Sequence, residues 1–362
     1  MRMSELDYHL PPERIAAHPV EPRDQSRLMV LHRVADRLEH RRFADLPEYL
    51  LPTDLLVVND TRVLPARLEL RKATGAAIPG LFVHELRPGQ WQVLLRSRGK
   101  VRPGDQLFPV TQGGPGISPP YRFTLQERLP DQKGMWLVSV SPTEPARDVL
   151  ARIGHVPLPP YIEKMRRDTH HDEALDREHY QTVYARHGAS VAAPTAGLHF
   201  TPQLLARIDA LGIRRASVEL DVGLGTFLPV EADTMEAHRM HTETYAVPAD
   251  TIHALRRQRA AGHRIVVVGT TAVRTLETTA PQILSSDAPP ANLHGATDLK
   301  IIPGFHFRLT DALITNFHLP RSTLMALVAA LIGLDRLHAL YALAIRENYR
   351  FYSYGDAMLI LP

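Results

Sequence analysis

The sequence predicts an α/β main domain, organised as a mixed sheet or an open barrel with helices, that carries an inserted small all-β barrel domain. Three segments, residues 190–212, 264–277 and 313–331, each combine a short strand, a polar loop and a helix, which is typical of α/β sheets. A different composition marks the insertion, where short alternating runs are separated by Gly and Pro turns. We therefore predict a main domain of residues 1–67 and 153–362 and an inserted barrel of residues 68–152.

Composition narrows the class of protein. At 362 residues the chain is long enough for two domains, or for one large domain with an insertion. It has no cysteine, which excludes disulfides, thiolate chemistry and cysteine-ligated metals. No apolar run approaches the roughly 20 residues that cross a bilayer, and the first residues lack an apolar signal core, so we expect a cytosolic protein with no membrane partner. The formal net charge of +3 permits an anionic partner without requiring one.

The loop at residues 194–200 joins a small-residue strand to an amphipathic helix. Thr201 is a typical N-cap, Pro202 suits the first helical position, and Gly212 marks the end of the helix. The loop therefore lies between the carboxyl end of a strand and the amino end of a helix, where backbone N–H groups favour anions and polar ligands. A tight connector with an incidental histidine explains the same pattern equally well. The candidate ligand-binding residues are Thr195, Gly197 and His199.

Other loops also place polar side chains directly after apolar strands. These side chains are Asn59, Asp60, Thr61 and Arg62 in one loop, Thr270, Thr271 and Arg274 in a second, and His318 in a third. Because ligands of α/β sheets bind at the carboxyl ends of strands, we predict one cleft lined by the loops near Asn59, His199, Thr270 and His318. Asn and Asp are also common in plain turns, so the first loop could simply turn the chain.

The motifs of common nucleotide enzymes are missing. Gly223 and Gly225 would need a third glycine at the position of Leu228, so a Rossmann dinucleotide site is excluded. Neither a P-loop nor a G-x-S-x-G nucleophile motif is present. A cleft rich in His, Asp, Thr and Arg suits proton transfer and group transfer with an activated leaving group. Paired histidines in the polar segment 164–173 have no core pattern around them, so we expect no metal site.

A basic pattern recurs in the predicted barrel, at Arg96, Arg98, Lys100 and Arg102. Their spacing is that of a strand or hairpin, so the charges could lie on one face. A basic hairpin on a small barrel is a fair nucleic-acid contact, and a solvated strand face explains the pattern equally well.

Taken together, several stretches closely resemble the S-adenosylmethionine:tRNA ribosyltransferase-isomerase family of queuosine biosynthesis. They span nearly the whole chain in the family's order, and the set is highly specific although each stretch alone is weak. Two positions depart from the family's pattern, since Asp221 stands where a histidine is usual and Lys300 replaces a customary phenylalanine. A carboxylate can handle a proton as an imidazole does. The matching stretches are residues 10–16, 59–67, 157–162, 180–185, 190–200, 222–230, 269–274, 315–324 and 349–358.

The resemblance implies a reaction in which S-adenosylmethionine is a co-substrate. Its ribosyl part moves to the aminomethyl group of a 7-deazaguanine base at the wobble position of tRNA, so the partner is an anticodon stem-loop. The implied acid and base candidates are His199, Asp221 and His318. The implied donor-binding residues are Asp60, Arg62, Thr195, Gly197, Thr270, Thr271 and Arg274, with Thr270 and Thr271 on the methionine carboxylate.

Two other classes of protein remain open at this point. A non-catalytic RNA-binding protein could use the basic barrel and a vestigial cleft, and a conventional methyltransferase would produce S-adenosylhomocysteine. Release of adenine distinguishes the ribosyltransferase from both. We expect a monomer.

Overall fold

A computed structural model of the chain describes residues 1–97, 101–110, 120–130, 134–166, 173–223, 225, 232–285 and 289–362. The contacts divide the chain into two compact units. The first comprises Met1–Arg62, Pro160–Asp168 and Gln181–Pro362, and the second comprises Val63–Pro159 and Thr169–Tyr180. The exact domain boundaries at residues 68 and 152 stay a prediction from composition.

The first part of the chain forms β1 (Arg27–His32), β2 (Arg37–Arg42), β3 (Leu55–Asn59), β4 (Thr61–Val63), β5 (Arg67–Lys72), β6 (Ala77–Arg87), β7 (Gln90–Leu95), β8 (Gln106–Pro109), β9 (Arg122–Arg128) and β10 (Met135–Ser141). The middle part forms α1 (Ala146–Ile153), β11 (Gly154–His155), α2 (Pro160–Met165), α3 (Glu173–His179), β12 (His187–Ser190), α4 (Pro202–Ala210) and β13 (Arg214–Leu220). The last part forms β14 (Glu243–Val247), α5 (Ala249–Ala260), β15 (Ile265–Val268), α6 (Thr270–Ser285), β16 (Leu293–Thr297), β17 (Ala312–Asn316), α7 (Thr323–Ile332), α8 (Leu334–Arg346) and β18 (Ala357–Leu361).

The first unit is built on a nine-stranded mixed sheet, in the order β16-β14-β13-β3-β15-β17-β18-β1-β2. Its central strands β13, β3, β15 and β17 run parallel, and β18 is antiparallel to β17. The carboxyl ends of the four parallel strands therefore lie at one edge, which we call the carboxyl edge. The predicted α/β sheet is confirmed, and it places the polar loops at this edge.

Both faces of this sheet are buried, which explains why its central strands are apolar throughout. Alternate residues of β3 enter different clusters: Leu55 and Val57 belong to the cluster that contains residues of α5, α6, α7 and α8, and Leu56 and Val58 to the cluster that contains residues of α4. The N-cap at Thr201 is confirmed, since its hydroxyl accepts a hydrogen bond from the Leu204 N–H at 3.1 Å. Ser322 caps α7 in the same way.

The second unit contains the predicted β-barrel. Six antiparallel strands follow the order β5-β6-β7-β10-β9-β8, and pairing of β5 with β8 closes the barrel. Its interior is filled by Trp91, whose ring makes edge contacts with Phe82 and Phe123 at centroid distances of 5.0 and 5.5 Å. Arg96 and Arg102 are exposed, as expected of the basic pattern, whereas Arg98 and Lys100 lie outside the described residues.

Within the described residues, no single helix has the length and apolar composition needed to cross a bilayer. Helices α7 and α8 meet those criteria only as a pair, and they are bent by 112° relative to each other.

Candidate active site

The carboxyl edge is held together by the side chain of Asn59, the last residue of β3. Its amide nitrogen donates to the Leu220 carbonyl at 3.1 Å and to the Thr271 hydroxyl at 3.2 Å. Its amide oxygen accepts from the N–H groups of Thr61 and Leu220 at 3.1 and 3.2 Å. All the polar atoms of this amide are therefore engaged, and the loops after β3, β13 and β15 have fixed relative positions.

The loop at residues 194–200 reaches the same edge. It contains a 3₁₀ helix, Thr195–His199, that lies against the turn between β15 and α6. A Cβ atom placed on Gly269 would lie 3.7 Å from Ala196 Cβ, and Gly269 adopts a φ of +85°, which favours glycine. The Thr195 hydroxyl donates to the Asn316 side chain at 3.0 Å, which joins the loop to the end of β17.

His199 is enclosed within this edge and only 4% exposed. Its Nδ1 lies 2.8 Å from Ser26 Oγ, its Nε2 accepts from Asn316 at 3.1 Å, and its ring stacks on Phe43. Burial, aided by the positive charges of Arg350 and Arg23, lowers its pKa to about 3. The imidazole is therefore neutral, and both of its nitrogen atoms are already hydrogen-bonded within the protein.

His318 does not join His199. Its Nε2 is 2.7 Å from Thr315 Oγ1, whereas His199 is bound to Asn316. Neighbouring residues of a strand point to opposite faces, so the two histidines contact opposite faces of β17. Burial lowers the pKa of His318 to about 3, and its backbone is fixed by the Tyr341 and Tyr8 hydroxyls. The loops near Asn59, His199 and Thr270 therefore meet at the carboxyl edge, whereas the His318 side chain lies on the other face of β17, and the single shared cleft stays a prediction.

Three carboxylates occur near the carboxyl ends of β3 and β13. Asp221 Oδ1 accepts from the Thr61 hydroxyl at 2.7 Å. Burial raises the pKa of Asp60, against the lowering effects of a hydrogen bond from Ser217 and the charge of Arg186. Burial also raises the pKa of Glu219, and the charges of Asp221 and Asp60 add to the effect. Asp60, Glu219 and Asp221 are partly exposed, unlike the histidines. A carboxyl whose pKa is raised can hold or take a proton closer to neutral pH.

Two arginines predicted to bind the donor make hydrogen bonds within the protein. The Arg62 guanidinium donates to the Ala185 carbonyl at 3.0 Å. Arg274 is buried, pairs with the Glu243 carboxylate and donates to the Leu299 carbonyl at 3.1 Å. Both groups therefore support the loops of the edge in this structure.

Thr270 and Thr271 begin α6, as predicted. Thr270 is buried, whereas Thr271 is partly exposed and accepts the hydrogen bond from Asn59. In the described part of the chain, no group of three or more His, Asp or Glu side chains is arranged to hold a metal ion.

A separate cavity of about 430 Å³ lies near the C-terminal end of β18, and its lining includes Glu39, Arg41 and Arg264. Its charges compensate each other, because Glu39 pairs with Arg41 at 2.6 Å and Arg264 pairs with Asp54 at 2.6 Å. The acidic and basic groups of this cavity therefore neutralise each other, whereas the carboxyl edge presents partly exposed carboxylates.

Sequence reasoning gave no role to several residues of the edge. Ser26 and Tyr352 belong to the hydrogen-bond network around His199 because the folded chain brings them there. No local sequence pattern predicts these contacts. Asn316 could have been found, because it is a polar residue at the carboxyl end of a buried strand. Tyr184 belongs to a matching stretch, but its contact with Gly197 requires the structure.

The fold and the edge define an α/β protein with an additional β-barrel unit, whose carboxyl edge presents groups suited to proton transfer. A model of the family described as "Queuosine biosynthesis protein" matches residues 3–360. Similar proteins carry the name S-adenosylmethionine:tRNA ribosyltransferase-isomerase. Those of Thermotoga maritima and Moorella thermoacetica are 48% and 47% identical over 361 and 366 residues, with all of both chains covered. That of Synechococcus elongatus is 47% identical over 358 residues, which covers 98% of this chain and 95% of the relative.

A solved structure is also similar. The crystal structure of an S-adenosylmethionine tRNA ribosyltransferase from Thermotoga maritima matches with a TM-score of 0.54 and 40% sequence identity, over 99% of this chain and 100% of the other. The chain belongs to the S-adenosylmethionine:tRNA ribosyltransferase-isomerase family, and the resemblance inferred from its sequence is confirmed.

Proposed function

We propose that the chain transfers the ribosyl part of S-adenosylmethionine to the aminomethyl group of a 7-deazaguanine base at the tRNA wobble position and rearranges it into an epoxycyclopentanediol. Adenine and methionine leave, and the product is epoxyqueuosine-modified tRNA. The observation that carries the proposal is the full-length family match. The partly buried carboxylates at the carboxyl edge supply groups that such a reaction needs.

The donor has a sulfonium cation, a carboxylate and a nucleoside, and the edge offers a partner for each. The Asp221 carboxylate attracts the cation. The N-terminus of α6, with the Thr270 and Thr271 hydroxyls, attracts the methionine carboxylate. The loop with Thr195 and Gly197 contacts the nucleoside. Arg62 and Arg274 act indirectly, by holding these loops.

The sulfonium makes the C5′ hydrogens of the ribose acidic, so the first step needs a base. We assign this role to Asp221, whose carboxylate is oriented by the Thr61 hydroxyl. The departing adenine needs a proton, and Asp60 is the candidate donor because burial favours its protonated form. His199 and His318 are neutral, enclosed and hydrogen-bonded within the protein, so we assign neither of them a proton-transfer step.

The part of the tRNA substrate that binds the protein is the anticodon stem-loop. The exposed Arg96 and Arg102 of the barrel are candidate contacts to its phosphates, which position an RNA without reading its sequence. We expect the protein to act as a monomer in the cytoplasm.

The test is to incubate the protein with S-adenosylmethionine and tRNA that carries the aminomethyl-deazaguanine base, and to measure free adenine. Adenine release that depends on the modified tRNA is expected. Asp221→Asn should lower the rate at least 100-fold, whereas Asp209→Asn, on the exposed side of α4, is the matched control.

Two outcomes contradict the proposal. RNA binding without adenine release would identify a non-catalytic RNA-binding protein. Formation of S-adenosylhomocysteine would identify a methyltransferase.

A further inference from the structure

A chain of buried hydrogen bonds leads from the protein interior to Thr195. Asn316 Nδ2 donates both to the Tyr352 carbonyl and to His199 Nε2, each at 3.1 Å. On its other side, His199 Nδ1 lies 2.8 Å from Ser26 Oγ. Ser26, Asn316 and His199 are 2%, 3% and 4% exposed, so water does not compete for these bonds.

The direction of each bond follows from the Tyr352 carbonyl, which can only accept. Because it accepts from Asn316, the amide nitrogen of Asn316 and not its oxygen faces both Tyr352 and His199. Nε2 of His199 must then carry a lone pair, so the hydrogen of the neutral ring lies on Nδ1 and points to Ser26. A charged imidazolium would place two donors against each other.

The backbone of Tyr352 adds a second observation. This residue has a φ of +73°, in the left-handed region that a residue with a Cβ rarely adopts. Its N–H donates to the Phe317 carbonyl at 3.0 Å, while its carbonyl accepts from Asn316. Such a conformation is strained and persists only where the surroundings determine it. Tyr352, whose backbone is strained, is therefore the residue that determines the direction of the hydrogen bonds in this network.

The consequence appears at Thr195. Since the amide nitrogen of Asn316 faces inward, its oxygen faces Thr195 and can only accept, so the single hydroxyl hydrogen of Thr195 is donated to Asn316 at 3.0 Å. Thr195 is partly exposed, whereas the other members are buried. Its oxygen therefore offers a ligand only lone pairs.

We propose that Thr195 is a specificity-determining hydrogen-bond acceptor for a hydroxyl or amino hydrogen of the nucleoside donor, and that Asn316 and His199 are positioning residues that fix this polarity. The assignment rests on the proposed function, because it takes the donor to be S-adenosylmethionine. A site with a fixed acceptor strongly disfavours a ligand that lacks the matching hydrogen.

The first experiment measures S-adenosylmethionine binding by calorimetry. Thr195→Val removes the acceptor at almost constant volume and should weaken binding at least tenfold, and Thr195→Ser should restore most of the loss. Analogues of the donor that lack the 2′-hydroxyl, the 3′-hydroxyl or the 6-amino group identify the partner: one of them should bind the wild type and Thr195→Val equally weakly. Equal binding of S-adenosylmethionine to wild type and Thr195→Val would overturn the assignment.

The second experiment does not depend on the reaction. A ¹⁵N–¹H spectrum of the histidine rings, with the His199 signal identified by its loss in His199→Gln, should show the Nδ1–H tautomer at pH 7. An Nε2–H tautomer or an imidazolium would contradict the polarity. In Asn316→Asp, a carboxylate faces Nε2, and the imidazolium should persist to higher pH. A wild-type enzyme that releases no adenine would refute the proposed function while leaving both measurements interpretable.

Discussion

The hydroxyl of Tyr184 fills the space beside Gly197, because a Cβ placed at position 197 would lie only 2.0 Å from it. Gly197 does not have a positive φ, and its place in the 3₁₀ helix suits any residue. Space alone therefore requires glycine here. The Tyr184 hydroxyl is buried without a hydrogen-bond partner among the described residues, while its ring packs edge-on against Phe200.

Gly197→Ala should consequently destabilise the protein by about 1–3 kcal/mol, through overpacking. Tyr184→Phe removes the clashing oxygen, and it should be neutral or slightly stabilising because that oxygen has no bond to lose. In a double-mutant cycle by urea unfolding, Tyr184→Phe should recover part of the loss caused by Gly197→Ala. Strict additivity of the two changes would show that the contact does not decide the residue at position 197.

The pair of Arg274 and Glu243 is the second contact with a measurable consequence. Both side chains are buried, and Glu243 also accepts from the Gly223 N–H at 3.2 Å. Arg274→Met leaves a buried carboxylate unpaired and should cost about 3–5 kcal/mol. Adding Glu243→Leu should recover most of that loss in thermal or urea unfolding. If the stability returns while S-adenosylmethionine affinity falls sharply, Arg274 would belong to the donor site, as the sequence alone predicted.

The elements of this fold were predictable wherever the signal is local. An uninterrupted apolar run predicts β15, and an N-cap followed by proline predicts α4, because each pattern reports on neighbours within a few residues. The barrel was predictable from the spacing of its turns, and the mixed sheet from three repeats of strand, loop and helix.

The partners of His199 were not predictable from such patterns. Ser26 and Asn316 lie 173 and 117 positions away in the chain, and only the packed sheet brings them together. The position of His318 apart from His199 could be predicted from the sequence only in part. Counting alternate residues along β17 places Thr315 and Asn316 on opposite faces, but the bond between His318 and Thr315 depends on the loop that follows the strand.

The two buried histidines should make stability depend on pH. The pKa of His318 is about 3 in the folded chain and near 6.5 when unfolded. Between these values the unfolded chain binds more protons, so the free energy of unfolding falls as the pH falls from 6.5 towards 3, by up to about 1.4 kcal/mol per pH unit for each histidine. His318→Gln should reduce that slope by about this amount in urea unfolding from pH 6.5 to 4.5.

His253→Gln, on the exposed side of α5, controls for losing a histidine at the surface. If both variants keep the wild-type slope, His318 is not held neutral by burial. His199 is left intact in this comparison, so the slope that remains in His318→Gln includes its contribution.

The raised pKa of Asp60 should appear in the pH dependence of adenine release. Burial is the main cause of the increase, and Ser217 and Arg186 oppose it. If Asp60 protonates the departing adenine, it must carry its proton, so the rate of adenine release should fall as the pH rises through this pKa. The fall should lie above the value near 3.9 that is ordinary for aspartate. Single-turnover rates of adenine release from pH 4 to 8 measure it. Asp60→Asn should lower the rate about 100-fold or more and abolish the fall, whereas Asp209→Asn should keep the wild-type profile. A wild-type profile in Asp60→Asn would assign the proton to another group.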